Sequence, residues 1–373
     1  MAVLGAGGGT SANIQSIAFT GSTTWSPMFD CKALVYVIGG GGAGASNYLY
    51  QANTYQQCGS GGAAGGCATS LLDLKSAHTY TLTIGAGGVA VAKTYNTGAA
   101  GGAGGNTTFA DGSGTISTMT GNGGGGGNFQ VNQSANTSAA AATGGSASGG
   151  TLANVTGGAS GAATKPYTSS SYGFVCTGGG SVGINGVGFS SGAAESSGYT
   201  AGNPMITSGA GVGGSSGSMS GFNYGSTSGG SANGPSANGA STVTLVSGVA
   251  GIGDGFSPAN ALSLGGSSGD TNVANGQGSN DTGYIAIAEP GAGGTASYEP
   301  GYSPWVAQAG GVFAGGGAMA MGNQSLSVAS AGGAGGLGAG GGAGGRRNNS
   351  NYGTSSGGAG GSGVIIIQIL EQN

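Results

Sequence analysis

The hydrophobic positions of this chain are concentrated in a few short segments separated by long glycine-rich stretches. Residues 14–19 and 33–38 are predicted strands, and residues 21–27 between them are predicted to form a turn. The run at 33–38 is almost continuously apolar, which is typical of a strand buried on both faces. Three further strands rich in threonine or β-branched residues are predicted, at residues 79–84, 107–109 and 364–370.

The glycine-rich stretches carry a period of three. Residues 332–345 read GGAGGLGAGGGAGG, and the variable places Ala334, Leu337, Gly340 and Ala343 recur every third residue. This period is neither the 3.6 of an α-helix nor the 2 of a strand, but that of the polyproline-II geometry, which predicts a length of about 40 Å for this stretch. Similar pieces occur at 101–105, 123–127 and 357–361.

An isolated helix of this kind makes no internal hydrogen bonds, so it needs neighbours. Glycine backbones approach one another closely, and each outward N–H and C=O group then finds a partner on an adjacent helix. Collagen is excluded, since glycine often fills two places in three and the chain has only 8 prolines. Flexible linkers are the alternative, but the regular apolar spacing and the closing strand argue against them.

The predicted fold class is therefore mostly irregular and β. We expect a polyglycine-II (three-fold) helix bundle or sandwich with a small β-sheet formed by the N-terminal strands and the C-terminal strand, and essentially no α-helix. Residues 1–111 are interpreted as a β-containing glycine-rich scaffold and candidate attachment region, residues 112–362 as a polyglycine-II bundle with Tyr/Ser/Asn-rich loops, and residues 363–373 as the closing strand. Together they are expected to form one continuous glycine-rich domain.

The composition narrows the classes of partner. The 373 residues include 95 glycines, and only 4% are charged, with a net charge of −4. The hydrophobic fraction of 37% is too high, and the charge too low, for an ordinary disordered chain. Arg346-Arg347 is the only basic pair, so we expect no nucleic-acid partner. No apolar run is long enough for a membrane span and the start lacks a secretory signal, which predicts synthesis in the cytoplasm without membrane insertion.

The cysteine and histidine content argues against a metal site. The four cysteines are Cys31, Cys58, Cys67 and Cys176, and the single histidine is His78. Without a CxxC pair, a zinc site is not expected, and the thiols are interpreted as buried side chains. A bridge between Cys58 and Cys67 is the alternative to test, because these residues flank a short Gly/Ala segment. We expect no cofactor and no metal.

Apparent catalytic motifs are explained by the composition. Residues 213–217 and 265–269 match GxSxG, but neither has the strand before it and the helix after it that a nucleophile elbow requires. Residues 358–363 match GxGxxG but precede a strand instead of following one. Glu289 and Glu299 could act on or bind a sugar, although exposed loop acids are the favoured interpretation. The sequence therefore predicts a protein that is not an enzyme.

Aromatic residues stand among Ser, Asn, Thr and Gly between the glycine tracts. Such mixtures predict loops, and they resemble the adaptable binding loops of antibodies, in which aromatic rings supply contact area. The candidate receptor-binding residues are Tyr48, Tyr50, Tyr55, Tyr167, Tyr172, Phe174, Phe222, Tyr224, Tyr298, Tyr302 and Trp305.

Five segments follow one another in a distinctive order: FTGSTTWSP at 19–27, VYVIGGGGAG at 35–44, LTIGAGG at 82–88, GGNTTF at 104–109, and residues 357–367. Together they resemble the glycine-rich domain of bacteriophage tail fibres over nearly the whole chain. The resemblance implies a structural virion protein at or near a fibre tip, in which packed three-fold helices hold connecting loops against a host receptor. It assigns the aromatic loops to the receptor face, and residues 19–25 and the terminal strand to the scaffold.

Three functions remain as hypotheses. The first is a virion tail-fibre protein, in an oligomeric assembly with other fibre subunits, that binds a host-cell surface receptor, either a glycan or an outer-membrane protein. The second is a self-assembling viral or extracellular filament subunit with a purely structural role, favoured by the nearly uncharged surface and by exposed strand edges. The third is ice binding, because some antifreeze proteins are glycine three-fold bundles, and it ranks last because of the bulky irregular loops.

Overall fold

A computed structural model of the protein describes residues 2–4, 15–50, 56–94, 97–132, 137–165, 173–184, 188–195, 205–206, 209–210, 219–220, 297–299, 307, 309–324, 330–348 and 354–372. The described residues contain strands and no helix, as the sequence predicts. The first thirteen strands are β1 (Ala2–Leu4), β2 (Gln15–Phe19), β3 (Thr23–Trp25), β4 (Cys31–Ile38), β5 (Ser46–Tyr50), β6 (Gln56–Gly59), β7 (Cys67–Leu74), β8 (Tyr80–Thr83), β9 (Gly98–Ala99), β10 (Thr107–Asp111), β11 (Met119–Gly121), β12 (Phe129–Asn132) and β13 (Thr137–Ala139). They are followed by β14 (Ala147–Ser148), β15 (Ala153–Val155), β16 (Ala163–Lys165), β17 (Gly173–Cys176), β18 (Ala194–Glu195), β19 (Met205–Ile206), β20 (Met219–Ser220), β21 (Ser297–Glu299), β22 (Met319–Gln324), β23 (Ser330–Ala331), β24 (Gly344–Asn348), β25 (Ser355–Ser356) and β26 (Val364–Gln372).

The glycine tract at residues 39–45 shows the three-residue period in its hydrogen bonds. Every third N–H group, at Gly39, Gly42 and Ala45, donates to tract 60–66 over 2.8–3.0 Å. The N–H groups of Gly40 and Ala43 donate to tract 101–105, and those of Gly41 and Gly44 donate to tract 357–361. This arrangement confirms the prediction of packed three-fold helices, because the side of the backbone that a residue presents repeats every third position.

The carbonyl groups of the same tract face three more neighbours. They accept hydrogen bonds from tract 122–128, from residues 341 and 344, and from Gly88. The tract is therefore surrounded by six segments of the chain, which satisfy its backbone groups in the protein interior as burial requires.

Close packing explains why these positions are glycine. A Cβ atom at Gly42 would lie 2.0 Å from the carbonyl oxygen of Gly125, and one at Gly44 would lie 2.1 Å from that of Gly342. Both distances are far inside van der Waals contact, and the obstructing atoms are backbone atoms of a neighbouring tract. Any side chain there would push two tracts apart and break the hydrogen bonds between them.

The stretch at 332–345 is not one long helix, so the predicted length of 40 Å is wrong. It reverses at Leu337 and Gly338, and the two arms pack against each other, with Gly342 N donating to Gly333 O over 2.9 Å. Gly338 has a φ of 69°, a left-handed conformation that glycine adopts without steric cost. Leu337 packs against a buried cluster that includes side chains of β4 and β26.

A six-stranded sheet lies at one end of the glycine tracts, with the strand order β1-β2-β26-β4-β7-β15. β26 lies between β2 and β4, and its residue Ile367 is paired with Ile17 on one side and Val35 on the other. Residues from the first and last parts of the chain therefore share one sheet. The strands predicted at 14–19, 33–38 and 364–370 are confirmed as β2, β4 and β26.

A second, five-stranded sheet packs on the first, with the order β14-β11-β10-β8-β3. The strands predicted at 79–84 and 107–109 are confirmed as β8 and β10. The turn predicted at 21–27 is partly wrong, because Thr23–Trp25 forms β3 and pairs with β8. Threonine and tryptophan fit a half-buried pleated surface, and here β8 offers them a free edge.

The six-stranded sheet has apolar residues on both faces, as predicted for β4. Its inner face packs on the five-stranded sheet, where the rings of Tyr80 and Phe109 stack with centroids 5.2 Å apart. Its outer face, near the bundle, packs Tyr36 and Ile38 against Phe313 and other residues of the glycine turns. One sheet thus connects the hydrophobic core to the glycine bundle.

The chain runs back and forth between two ends. Tract 39–45 connects β4 to β5, and tract 60–66 returns from β6 to β7. We call the end with the two packed sheets the sandwich end, and the opposite end, with the three sheets that contain β5, β6 and β17, and β16, the far end. The two ends are separated by about 20 Å, the length of seven residues at the polyproline-II rise.

The ion pairs that join described residues lie at the sandwich end. Lys75 Nζ lies 3.0 Å from Asp30 Oδ2, and Asp30 also accepts hydrogen bonds from the backbone N–H and the hydroxyl group of Ser76. The backbone hydrogen bond from Ser76, followed by the contact with Lys75, lowers the pKa of Asp30 to about 2.

Asp30→Asn is expected to weaken the acid dependence of stability. The folded-state pKa of Asp30 is lowered, so its contribution is complete above the unfolded value of about 3.9 and is lost as the pH falls through the folded value. The melting temperature of the wild type should therefore fall between about pH 4 and pH 2 more steeply than that of the variant. The matched control is Asp73→Asn, since this carboxylate is 64% exposed and its 3.9 Å contact with Lys32 contributes little to stability. Equal slopes in the wild type and Asp30→Asn would contradict this assignment.

Candidate functional site at the far end

The glycine bundle places two pairs of strands side by side at the far end. Ala45 N donates to Ser60 O over 3.0 Å, so β5 and β6 leave the bundle together and bracket residues 51–55. Thr177 Oγ1 donates to Gly161 O over 2.6 Å, so β16 and β17 also leave together and bracket residues 166–172. Because β6 and β17 pair in parallel, with Cys58 opposite Val175, the strands that follow residues 55 and 172 begin side by side.

Four of the predicted receptor-binding residues lie within the described strands. Tyr48 and Tyr50 belong to β5, Phe174 belongs to β17, and Tyr298 belongs to β21. The loop interpretation is wrong at these four positions, because aromatic residues suit strands and the neighbouring strand β24 supplies a parallel partner for β5. The other seven predicted residues lie outside the described residues: Tyr55, Tyr167, Tyr172, Phe222, Tyr224, Tyr302 and Trp305.

The burial of Tyr48 rules it out as a receptor-binding residue. Its side chain is fully buried in the chain, and its backbone carbonyl accepts a hydrogen bond from Gln57 Nε2 over 2.9 Å. A ring with no exposed surface offers no contact area to a receptor. Tyr48 is therefore a core residue of the far end, and the sequence-based assignment of this residue is wrong.

Two buried polar residues of the far-end strands β5 and β6 were not identified from the sequence. Asn47 and Gln57 are both fully buried, and Asn47 Nδ2 donates to Gly344 O over 3.3 Å and to Cys176 Sγ over 3.4 Å. The three-residue period of the sequence could have predicted that Asn47 is buried. Residues 41 and 44 face tract 339–343, and residue 47 is the next member of that row.

The thiols are buried and free, as predicted, and no bridge joins Cys58 to Cys67. Cys58 Sγ donates to Thr137 O over 3.3 Å, and burial raises the pKa of this thiol to about 12. Burial also raises the pKa of Cys67 to about 12, and it lowers the pKa of the Lys165 amine, which interacts with Cys58. Thiols that stay protonated in an apolar environment are poor nucleophiles, so these groups contribute to packing.

One Ser-His-Asp cluster exists at the sandwich end, in the turn after β10. Ser113 Oγ lies 3.0 Å from His78 Nδ1, and Asp111 Oδ2 lies 3.4 Å from the same nitrogen. A catalytic triad places the serine and the carboxylate on opposite ring nitrogens, so this geometry does not activate Ser113. Burial by itself would raise the pKa of Asp111, but hydrogen bonds from Ser113 and Thr115 outweigh it and hold that pKa well below its usual range. The cluster therefore closes a turn.

The part of the chain that the structure describes contains neither a candidate metal site nor a candidate membrane-spanning helix. In those residues, histidine, cysteine, aspartate and glutamate side chains do not form a group of three or more that could hold a metal ion. No described helix has the length and apolar character needed to cross a bilayer.

Comparison with known proteins identifies a glycine-rich family. Residues 16–241 match the sequence model of a family described as a glycine-rich domain. This match begins in β2, includes tracts 39–45 and 60–66, and extends over more than half of the chain. No curated protein matches the chain. The chain therefore belongs to the glycine-rich domain family.

Proposed function

We propose that this chain is a receptor-binding protein of a bacteriophage tail fibre, which attaches to the surface of a host cell through aromatic segments at its far end. The observation that supports the proposal is the parallel pairing of β6 with β17, the strands that follow residues 51–55 and 166–172 in the chain. These segments contain Tyr55, Tyr167 and Tyr172. A hydrogen-bonded bundle whose paired strands flank several tyrosine-bearing segments suits recognition of a large surface.

The chemistry of these segments suits an uncharged or weakly charged ligand. Tyrosine supplies a broad apolar face and a hydroxyl group, while serine and asparagine supply adaptable hydrogen bonds. Residues 166–172 contain no charged side chain, and neither do residues 51–55. A surface glycan or an outer-membrane protein is therefore the proposed receptor, and other fibre subunits are the proposed structural partners.

Replacement of the aromatic residues provides the first test. A tyrosine at the centre of an interface contributes about 2 kcal/mol, so Tyr55→Ser or Tyr167→Ser should weaken binding to host cells about 30-fold. The measurement is the binding of labelled protein to intact bacteria, together with competition against adsorption of the phage that encodes the chain.

The controls for this test lie at the sandwich end. Met28 is 94% exposed and Leu152 is 61% exposed, so Met28→Ser and Leu152→Ser remove apolar surface of similar character far from the proposed receptor face. Both variants should bind like the wild type. Phage adsorption that stays undiminished at saturating wild-type protein would refute the proposed function.

A filament subunit is the second candidate, and the open sheets favour it. β15 and β1 are the edges of the six-stranded sheet, and β14 and β3 are the edges of the five-stranded sheet. Such edges expose backbone groups that a second copy could pair with. Purified chain that forms regular filaments in electron micrographs would support this candidate, while a monodisperse species that binds cells would support the receptor-binding function.

A further inference from the structure

Three neighbouring tracts form one exposed side of the glycine bundle, and we call this side the outer face. It consists of residues 100–106, 122–128 and 140–146. Gly101 N and Gly104 N donate to the central tract 122–128, and the central tract donates from Asn122 N and Gly125 N to tract 140–146, each over 2.9 Å. The outer face is therefore one hydrogen-bonded layer of three-fold helices.

The central tract of this layer has neighbours in only four directions. Besides its two flanking tracts, it donates to tract 39–45 from Gly124 N and Gly127 N over 2.8 Å, and its carbonyl groups accept from tract 60–66. Tract 39–45, in the interior, has neighbours in all six directions. Because directions repeat every third residue, the two open directions of the central tract belong to Gly123 and Gly126. These two glycines are partly exposed, whereas Gly124 and Gly127 are buried.

The open directions contain both hydrogen-bond donors and acceptors. Gly126 N and the carbonyl oxygens of Gly123 and Gly126 have no hydrogen-bond partner in the described part of the chain, and Gly123 N donates to Asn106 Oδ1 over 3.0 Å. Interior tracts bind one another through the same backbone groups at the same three-residue spacing. The outer face therefore offers the hydrogen-bonding pattern that a further layer of glycine tracts would match.

The side chains of the outer face also resemble those of the interior. Those that are exposed on the flanking tracts recur every third residue and are small: Ala100, Ala103, Asn106, Ala140, Thr143 and Ser146. Ala43, Ala63 and Ser60 are fully buried in interior tracts, so side chains of this size fit between layers. The outer face has no charged residue, and charged residues are depleted from the cores of protein interfaces.

We propose that two copies of this chain associate through their outer faces. A second copy supplies tracts of the required three-fold geometry, and a face with both donors and acceptors can be complementary to itself, as a two-fold dimer requires. This contact differs from the pairing of sheet edges in a filament, because a face-to-face dimer closes after two copies. The inference goes beyond the proposed receptor binding and does not depend on it.

The size of the outer face predicts a weak dimer. Seven residues in the three-fold conformation span about 22 Å, so three tracts give much less than the roughly 800 Å² that each partner buries in a stable complex. We expect a dissociation constant on the order of 0.1–1 mM, so that pairing occurs where copies are held close together.

The test is sedimentation velocity of the whole chain between about 10 μM and about 1 mM. The sedimentation coefficient of the wild type should rise over this range, and Ala103→Glu should weaken the association at least about tenfold, because each copy then carries a like charge into the interface. Met28→Glu is the matched control, since Met28 is 94% exposed and lies outside the outer face, and this variant should associate like the wild type.

Two further measurements separate this effect from misfolding. An equal mixture of Ala103→Glu and Ala103→Lys should associate again, because opposite charges then meet across the interface, and Thr143→Glu should weaken the association as Ala103→Glu does. All variants should keep the melting temperature of the wild type, since both positions are exposed. A wild type that stays monomeric at about 1 mM, or an association that Ala103→Glu and Met28→Glu change equally, would overturn the proposal. Cell binding by such a monomer would leave the proposed receptor function intact.

Discussion

Gly42→Ala is expected to prevent the chain from folding. The new Cβ atom would lie 2.0 Å from the carbonyl oxygen of Gly125, a backbone atom held in the centre of the bundle. Overpacking usually costs about 1–3 kcal/mol, and here the cost should exceed that range because two hydrogen-bonded tracts must separate. Loss of soluble, cooperatively unfolding protein in thermal and denaturant scans is the expected result.

The matched control for this substitution is Gly21→Ala. No atom lies within 4 Å of a Cβ built at Gly21, and this glycine does not adopt a left-handed conformation. Its replacement should be neutral or stabilise the protein by up to about 1 kcal/mol, because alanine restricts the unfolded chain. A Gly42→Ala protein as stable as Gly21→Ala would show that tract 39–45 is not packed on its neighbours.

Truncation after Gly363 is expected to have an equally large effect. It removes β26, the strand that pairs with both β2 and β4 and buries Val364, Ile365, Ile366, Ile367 and Ile369. Each of these side chains stabilises the fold by roughly 1.5–3 kcal/mol, and their sum is comparable to the whole net stability of an ordinary domain. The shortened chain should be insoluble or lack a cooperative unfolding transition.

Truncation after Glu371 is the control for the loss of β26. It removes two terminal residues and keeps the five buried apolar side chains of the strand named above, so the melting temperature should stay close to that of the full chain. A cooperative transition in the chain that ends at Gly363 would contradict the central position of β26. Circular dichroism and size-exclusion chromatography on both shortened proteins make the comparison.

The strands of the sandwich end were predictable because they are apolar runs bounded by glycine. β4 and β26 contain the apolar runs 33–38 and 364–367, and burial on both faces leaves no charged residue within these runs to mask the pattern. β7, with the sequence CATSLLDL, was missed because its first half is small and polar. Those residues are buried by their neighbours in the sheet, which local sequence does not reveal.

The far end was less predictable, since its strands depend on distant partners. β5 pairs with β24, almost three hundred residues later in the chain, and no local pattern specifies that pairing. The same long-range packing buries Tyr48, which composition alone assigns to a binding surface. The reversal at Gly338 was also hidden, because one glycine that permits a left-handed turn looks like every other glycine in the tract.

Amide hydrogen exchange across the glycine tracts tests the central claim most directly. If the tracts form a hydrogen-bonded three-fold bundle, all seven amides of residues 39–45 should exchange slowly, because each donates to a neighbouring tract. In the outer tract 101–105 the amides of Gly102 and Gly104 donate to neighbours, whereas that of the exposed Ala103 has no partner in the described structure. Slow exchange with a gap at Ala103 is the predicted result, and rapid exchange throughout both tracts, as in a flexible linker, would contradict the account.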